Sequence, residues 1–138
     1  PELLIKPDFA IFRVAELAYD RIRREYATSF FNGYGTELNI FRPGRPEWIE
    51  EDYRFFGKTL RILRENHSNF ISFGFTPLIP TLSDGVFVNK WHSEKKTIYT
   101  IFSLKPEGFL GNHFEVEKTA YDWNYVDLWN HEEVQVLE

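Results

Sequence analysis

Chemistry in this chain has to come from carboxylates, histidines, hydroxyls and aromatic rings, because its 138 residues include no cysteine. Thiolate nucleophiles, disulfides and cysteine metal sites are thereby excluded. The four histidines, His67, His92, His113 and His131, fall singly at the ends of expected elements or in turns. None has a second histidine four residues away or an acid at ligand spacing, so they read as surface turn residues and no metal site is expected. No Gly-x-Ser-x-Gly elbow is present, and the glycines match neither Gly-rich phosphate fingerprint. No cofactor is expected.

Two features remain. Asn32-Gly33-Tyr34-Gly35 sets two glycines around one aromatic, the mark of a backbone that turns sharply or lets another group come close. Aromatic residues make up 18% of the chain, with 14 Phe, 7 Tyr and 4 Trp, more flat rings than a core of this size needs. Trp91, Trp123 and Trp129 have the surface to stack on a sugar, although rings at strand positions more often fill the space between sheets.

Composition narrows the partners. At 43% hydrophobic and 27% charged residues the chain is that of a globular domain with a real core. A net charge of -5, with Lys and Arg scattered among acids, offers no basic stripe, so no nucleic acid partner is expected. No run approaches the roughly 20 apolar residues that span a bilayer, and the first ten residues lack the pattern of a signal peptide, so no membrane association is expected. A chain that opens on Pro1 and contains no methionine reads as a processed product or as a piece of something longer.

The elements that would position these residues divide into two halves. Asp8 as an N-cap, with Phe12, Ala15, Tyr19, Ile22 and Tyr26 at spacings of three and four, predicts an amphipathic helix over residues 8–26. Residues 27–31 read as a short buried strand, and residues 36–48, with Pro43, Gly44 and Pro46, as a loop. Acids at Glu50, Glu51 and Asp52 ahead of a stripe at Tyr53, Phe56, Leu60 and Leu63 predict a second helix over 50–65. After Asn69 the pattern is strand-like. Residues 70–75 read as a strand, Pro77 and Pro80 mark an irregular crossing, and residues 86–104 form a hairpin around the charged turn 92–96. Phe87, Asn89 and Trp91 share one face of its first strand, and Ile98, Thr100, Phe102 and Leu104 share one face of its second. Residues 113–118 read as a further strand, and 125–129 pairs with 133–137 through a turn at Asn130 and His131. About six strands in some seventy residues are the pattern of a small antiparallel sandwich.

Several stretches taken together resemble the C-terminal end of a glycoside-hydrolase-like protein. They are Phe30-Phe31-Asn32-Gly33-Tyr34-Gly35-Thr36-Glu37, the Glu50-Glu51-Asp52 helix with Arg61-Ile62-Leu63, Asn89-Lys90-Trp91, and Tyr125-Val126-Asp127-Leu128-Trp129. The resemblance implies an α+β chain in which residues 1–69 are the last elements of a (β/α)8 barrel and residues 70–138 a small antiparallel β-sandwich. It places the 32–48 loop at a substrate cleft, because barrel sites are built from the loops that follow the strands. Glu37 is then the candidate catalytic carboxylate, with Asn32, Tyr34 and Trp48 as substrate-binding residues. Glycoside hydrolysis normally needs two carboxylates, about 5 Å apart in retaining and roughly 6.5 to 9.5 Å apart in inverting enzymes. The second would come from earlier barrel strands, so the isolated chain is expected to be inactive. The expected partners are a carbohydrate ligand and, on the helices, the rest of a larger polypeptide or a partner chain. The alternative is a non-catalytic β-sandwich module that binds a glycan or a protein.

Overall fold

The structure, a computed structural model, describes residues 13–16, 23–39, 49–117 and 123–137. It opens on a β-α-β unit. Strand β1 (Arg13–Glu16) is joined through helix α1 (Arg23–Phe31) to strand β2 (Thr36–Asn39), which runs parallel to it. Of the helix expected over 8–26, residues 13–16 are instead a strand, residues 23–26 are helical, and residues 8–12 and 17–22 lie outside the described residues. Residues 27–31, expected to be a strand, form the second half of α1, and the loop expected from residue 36 begins as β2. Four residues are too few to separate a period of 3.6 from a period of two. The parallel ladder that decides the matter comes from the far side of α1, out of reach of any local pattern.

The Asn32-Gly33-Tyr34-Gly35 turn is the stop signal of α1. Gly33 N donates to Phe30 O (2.9 Å), and Tyr34 N reaches back to Ser29 O (3.1 Å), the paired bonds of a Schellman motif with Gly33 at its left-handed position (φ 74°). Glycine is also required sterically: a Cβ there would lie 2.8 Å from the Trp91 ring and 2.9 Å from the Phe70 ring.

Helix α2 (Ile49–Glu65) matches the helix expected over 50–65 and carries Glu50, Glu51 and Asp52 in its first turn. Its N-terminal part packs on α1, where buried Tyr26 and Ile49 gather Tyr53, Phe55 and Phe56. The short helix α3 (His67–Phe70) follows and occupies the beginning of the expected 70–75 strand; the strand itself, β3, runs from Gly74 to Ile79. Pro77 sits within β3, which is tolerated because β3 is an edge of the sheet β3-β4-β5. Its register shifts between Thr76 and Ile79, where Leu78 adopts φ 49° and donates its N–H to Asn89 Oδ1 (2.9 Å).

Strands β4 (Val86–His92) and β5 (Thr97–Ser103) form the hairpin, with Phe87 opposite Phe102, Asn89 opposite Thr100 and Trp91 opposite Ile98. That face receives the helices. Trp91, fully buried, packs with Phe70 and Ile98, and Leu63, Phe75 and Leu128 close around them. Phe31 of α1 lies against Phe102, ring centroids 5.7 Å apart. On the opposite face Val88 is buried and Tyr99 packs on Phe114, while Ile101 is exposed.

Polar side chains bolt α1 to this sheet. The Phe31 carbonyl, one of the acceptors a helix end leaves without an intrahelical donor, receives Asn89 Nδ2 (3.1 Å) and Thr100 Oγ1 (2.8 Å). Thr100 Oγ1 in turn accepts from Trp91 Nε1 (2.9 Å). Asn69 Nδ2 donates to the carbonyls of Trp91 and Lys96, fixing the hairpin turn against α3. The residue 69/70 boundary thus falls inside α3.

The expected strand at 113–118 is not formed over its described residues, 113–117, which run as irregular chain tied by Leu82 N to His113 O (2.9 Å). The C-terminal pairing is shorter than expected: β6 (Val126–Asp127) meets β7 (Glu132–Glu133) in a two-residue ribbon. Asp127 organises its turn by accepting from the backbone N–H of Trp129 and Asn130. The chain is α+β, with its described antiparallel strands in one three-stranded sheet and this ribbon.

Candidate functional site

In parallel β-α units, chemistry gathers at the C-terminal ends of the strands, where chain leaves the sheet toward the next helix. In this molecule those ends are Glu16 on β1 and Asn39 on β2, which the register sets opposite each other. Alternation puts positions 14, 16, 37 and 39 on one face of the pair and 13, 15, 36 and 38 on the other. Thr36 is half-buried and Glu37 exposed, so the face that carries Glu37 is the open one. Position 37 thus puts an exposed acid on a face that parallel sheets usually fill with apolar residues. Adjacent strands lie about 4.8 Å apart and advance about 3.3 Å per residue, which sets the backbones of residues 16 and 37 roughly 8 Å apart.

The other sequence candidates lie elsewhere. Asn32 is fully buried in the turn that precedes β2, with Nδ2 donating to Thr28 O (3.0 Å), at the opposite end of the strands from Glu16 and Asn39. A substrate on the exterior does not reach it. Tyr34, in the same turn, is half-buried, and Trp48 lies outside the described residues. Of the three described candidates, Glu37 is the one on the strand pair, opposite Val14 and two residues short of the end where Glu16 pairs with Asn39. Glu16 and Asn39 escaped sequence reasoning because residues 8–26 read as helix and 36–48 as loop. The one signal available was a polar residue closing each short apolar alternation, Val14 to Glu16 and Leu38 to Asn39.

A second group of ionisable side chains lies where α1 and α2 begin. The Arg23 guanidinium hydrogen-bonds Glu51 and stands 3.6 Å from Asp52 Oδ1, an ion pair that joins the two helices. The Glu51 hydrogen bond, followed by the charges of Glu51 and Asp52, raises the Arg23 pKa. Asp52 is fully buried. Burial first, and the neighbouring Asp52 charge second, push the Tyr26 hydroxyl up to about 12, so it stays protonated at neutral pH. These groups latch the two helices together.

The histidines and tryptophans are dispersed. His92 Nδ1 meets Thr97 Oγ1 (2.9 Å), His113 packs on Phe109, and His67 and His131 are exposed. Among the described residues no three His, Asp or Glu side chains converge as a metal site, and no helix is long and apolar enough to cross a membrane. Trp91 is core. Trp129 packs on Phe55 (5.1 Å) with the Lys58 ammonium 4.8 Å from its ring, while Trp123 is exposed. The three indoles thus occupy different environments and form no common platform. Comparison with protein-family models, with characterised proteins and with solved structures finds no match.

Proposed function

We propose that this chain is the C-terminal region of a carbohydrate-active enzyme of the glycoside-hydrolase type, in which the antiparallel sheet braces the end of a (β/α)8 barrel. The observation that carries the reading is the order β1-α1-β2-α2, with parallel strands, followed through the short α3 by an antiparallel sheet. Two parallel strands make a poor independent sheet, because parallel strands need cover on both faces and further neighbours. Barrel strands supplied by additional polypeptide meet that need.

In this reading Glu37 lines the inner face of the last two barrel strands, and α1 and α2 belong to the outer ring. Glu37 acts as acid or base toward the glycosidic oxygen, and the second carboxylate comes from earlier barrel strands. Two strands enclose no cleft, so the isolated chain has no hydrolytic activity.

The test uses the natural polypeptide. Its intact mass should far exceed the 16.5 kDa of these residues, and it should hydrolyse aryl glycosides. Glu37→Gln should lower kcat by roughly 10²- to 10⁴-fold, the usual worth of general acid-base catalysis. A natural product of only these residues, or full activity in Glu37→Gln, would overturn the reading. The exposed Ile71 and Phe73 beside edge strand β3 favour the competing reading, a non-catalytic module that binds a protein partner.

A further inference from the structure

Glycine follows an asparagine or aspartate at two places in the chain, Asn32-Gly33 and Asp84-Gly85. Both linkages are open to the same spontaneous reaction. The glycine nitrogen attacks the side-chain carbonyl carbon of the residue before it, and a five-membered succinimide closes. Glycine favours this step because it has no side chain to hinder the approach.

From sequence alone Asn32-Gly33 is the more labile, since ammonia leaves an asparagine side chain readily at neutral pH. The fold opposes the reaction there. Asn32 is fully buried, and its Nδ2 is held on Thr28 O at 3.0 Å. The attacking nitrogen is engaged too, because Gly33 N donates to Phe30 O at 2.9 Å inside the Schellman stop of α1. The rings of Trp91 and Phe70 hem in Gly33 on one side, 2.8 and 2.9 Å from where a Cβ would stand. Asp84, by contrast, is exposed in the turn before β4.

We propose that Asn32-Gly33 is a latent modification site, held inert by the docking of α1 on the β4-β5 sheet and converted irreversibly whenever that docking opens. In the opened chain, Gly33 N forms a bond to Asn32 Cγ and loses its proton to solvent, while the side-chain nitrogen leaves as ammonia. Water then opens the succinimide at either carbonyl, giving aspartate or isoaspartate, a net gain of water and loss of ammonia. Neither product restores the native stop. Aspartate replaces the donor to Thr28 O with an acceptor and sets a buried negative charge at the C-terminal end of α1, where the helix dipole opposes it. Isoaspartate adds a backbone carbon that breaks the spacing of the Gly33 and Tyr34 hydrogen bonds. Opening of this interface therefore leaves a covalent record and blocks re-docking.

The experiment incubates the purified protein at pH 8 and 37 °C, with and without guanidinium chloride, and follows both linkages by peptide mass mapping with isoaspartate detection. The mass gain at Asn32 should be at least ~100-fold slower in the folded protein than in denaturant, because reaction waits on opening. Asp84-Gly85 should isomerise at similar rates in both. Asn89→Ala, which removes one donor to Phe31 O, should speed the folded-state reaction at Asn32, and Asn32→Asp should lower the melting temperature. Equal Asn32 rates with and without denaturant, or an Asn32→Asp protein as stable as the parent, would overturn the proposal.

Discussion

Replacing Thr100 with valine removes one hydroxyl and little else, and that hydroxyl stands between the helices and the sheet. Thr100 is buried at 3% exposure, and its Oγ1 accepts from Trp91 Nε1 at 2.9 Å while donating to Phe31 O at 2.8 Å. Valine keeps the branched shape, so the change isolates the polar contribution. Phe31 O retains Asn89 Nδ2 at 3.1 Å, so its loss is limited to one bond, about 0.5–1.5 kcal/mol. The Trp91 indole N–H loses its Thr100 acceptor in a buried site, which costs about 1–3 kcal/mol. The sum, about 1.5–4.5 kcal/mol, should move the guanidinium midpoint of unfolding down by roughly 0.3–1.5 M, given slopes of about 3–5 kcal/mol/M for a domain of this size. Tryptophan fluorescence and far-ultraviolet circular dichroism should report the same midpoint. Thr100→Ser keeps both hydrogen bonds and loses one methyl group, for about 1 kcal/mol. The bolt reading fails if valine costs under about 0.5 kcal/mol, or if serine costs as much as valine.

Gly33→Ala should destabilise the protein by about 2–4 kcal/mol in chemical denaturation, the sum of left-handed strain at φ 74° and overpacking against Trp91 and Phe70. Gly57, exposed within α2 with open space where a Cβ would stand, is the opposite case: Gly57→Ala should raise stability by about 0.5–1 kcal/mol, read as a higher melting temperature. Stability should fall between pH 10 and about 12. In that window the unfolded chain releases the Tyr26 proton that the folded protein holds up to about 12, so folding is progressively disfavoured as pH rises. Tyr26→Phe should flatten the fall in denaturation midpoint across that range, and an unchanged slope would assign it to other groups.

The legible parts of the fold were those whose pattern repeats over enough residues. Tyr53, Phe56, Leu60 and Leu63, behind three acids, mark α2 over several turns, and the 17-residue helix lies where that pattern puts it. The β4-β5 hairpin was readable for the same reason: seven residue pairs in register place Phe87, Asn89 and Trp91 together. α1 was not readable. Its buried side chains, Tyr26, Thr28, Ser29 and Phe31, mix polar with apolar and give no clean stripe. The turn at residues 32–35 was recognisable as a turn, but whether it enters or leaves a strand depends on the neighbouring elements. That choice moved Asn32 from a candidate substrate rim to a buried helix stop.

Local patterning thus determined the class of the chain, its long helix and its central hairpin, because those elements present their own hydrogen bonds and apolar faces within a short stretch of sequence. Tertiary structure decided the rest. The parallel pairing of β1 with β2 joins residues on either side of α1, and it is this pairing that sets Glu16 and Asn39 opposite each other and places Glu37 on their face. The bonds from Asn89 and Thr100 to the Phe31 carbonyl likewise join residues far apart in sequence. Such contacts are selected by hydrogen-bond satisfaction and burial across the fold, and a one-dimensional period carries no record of them.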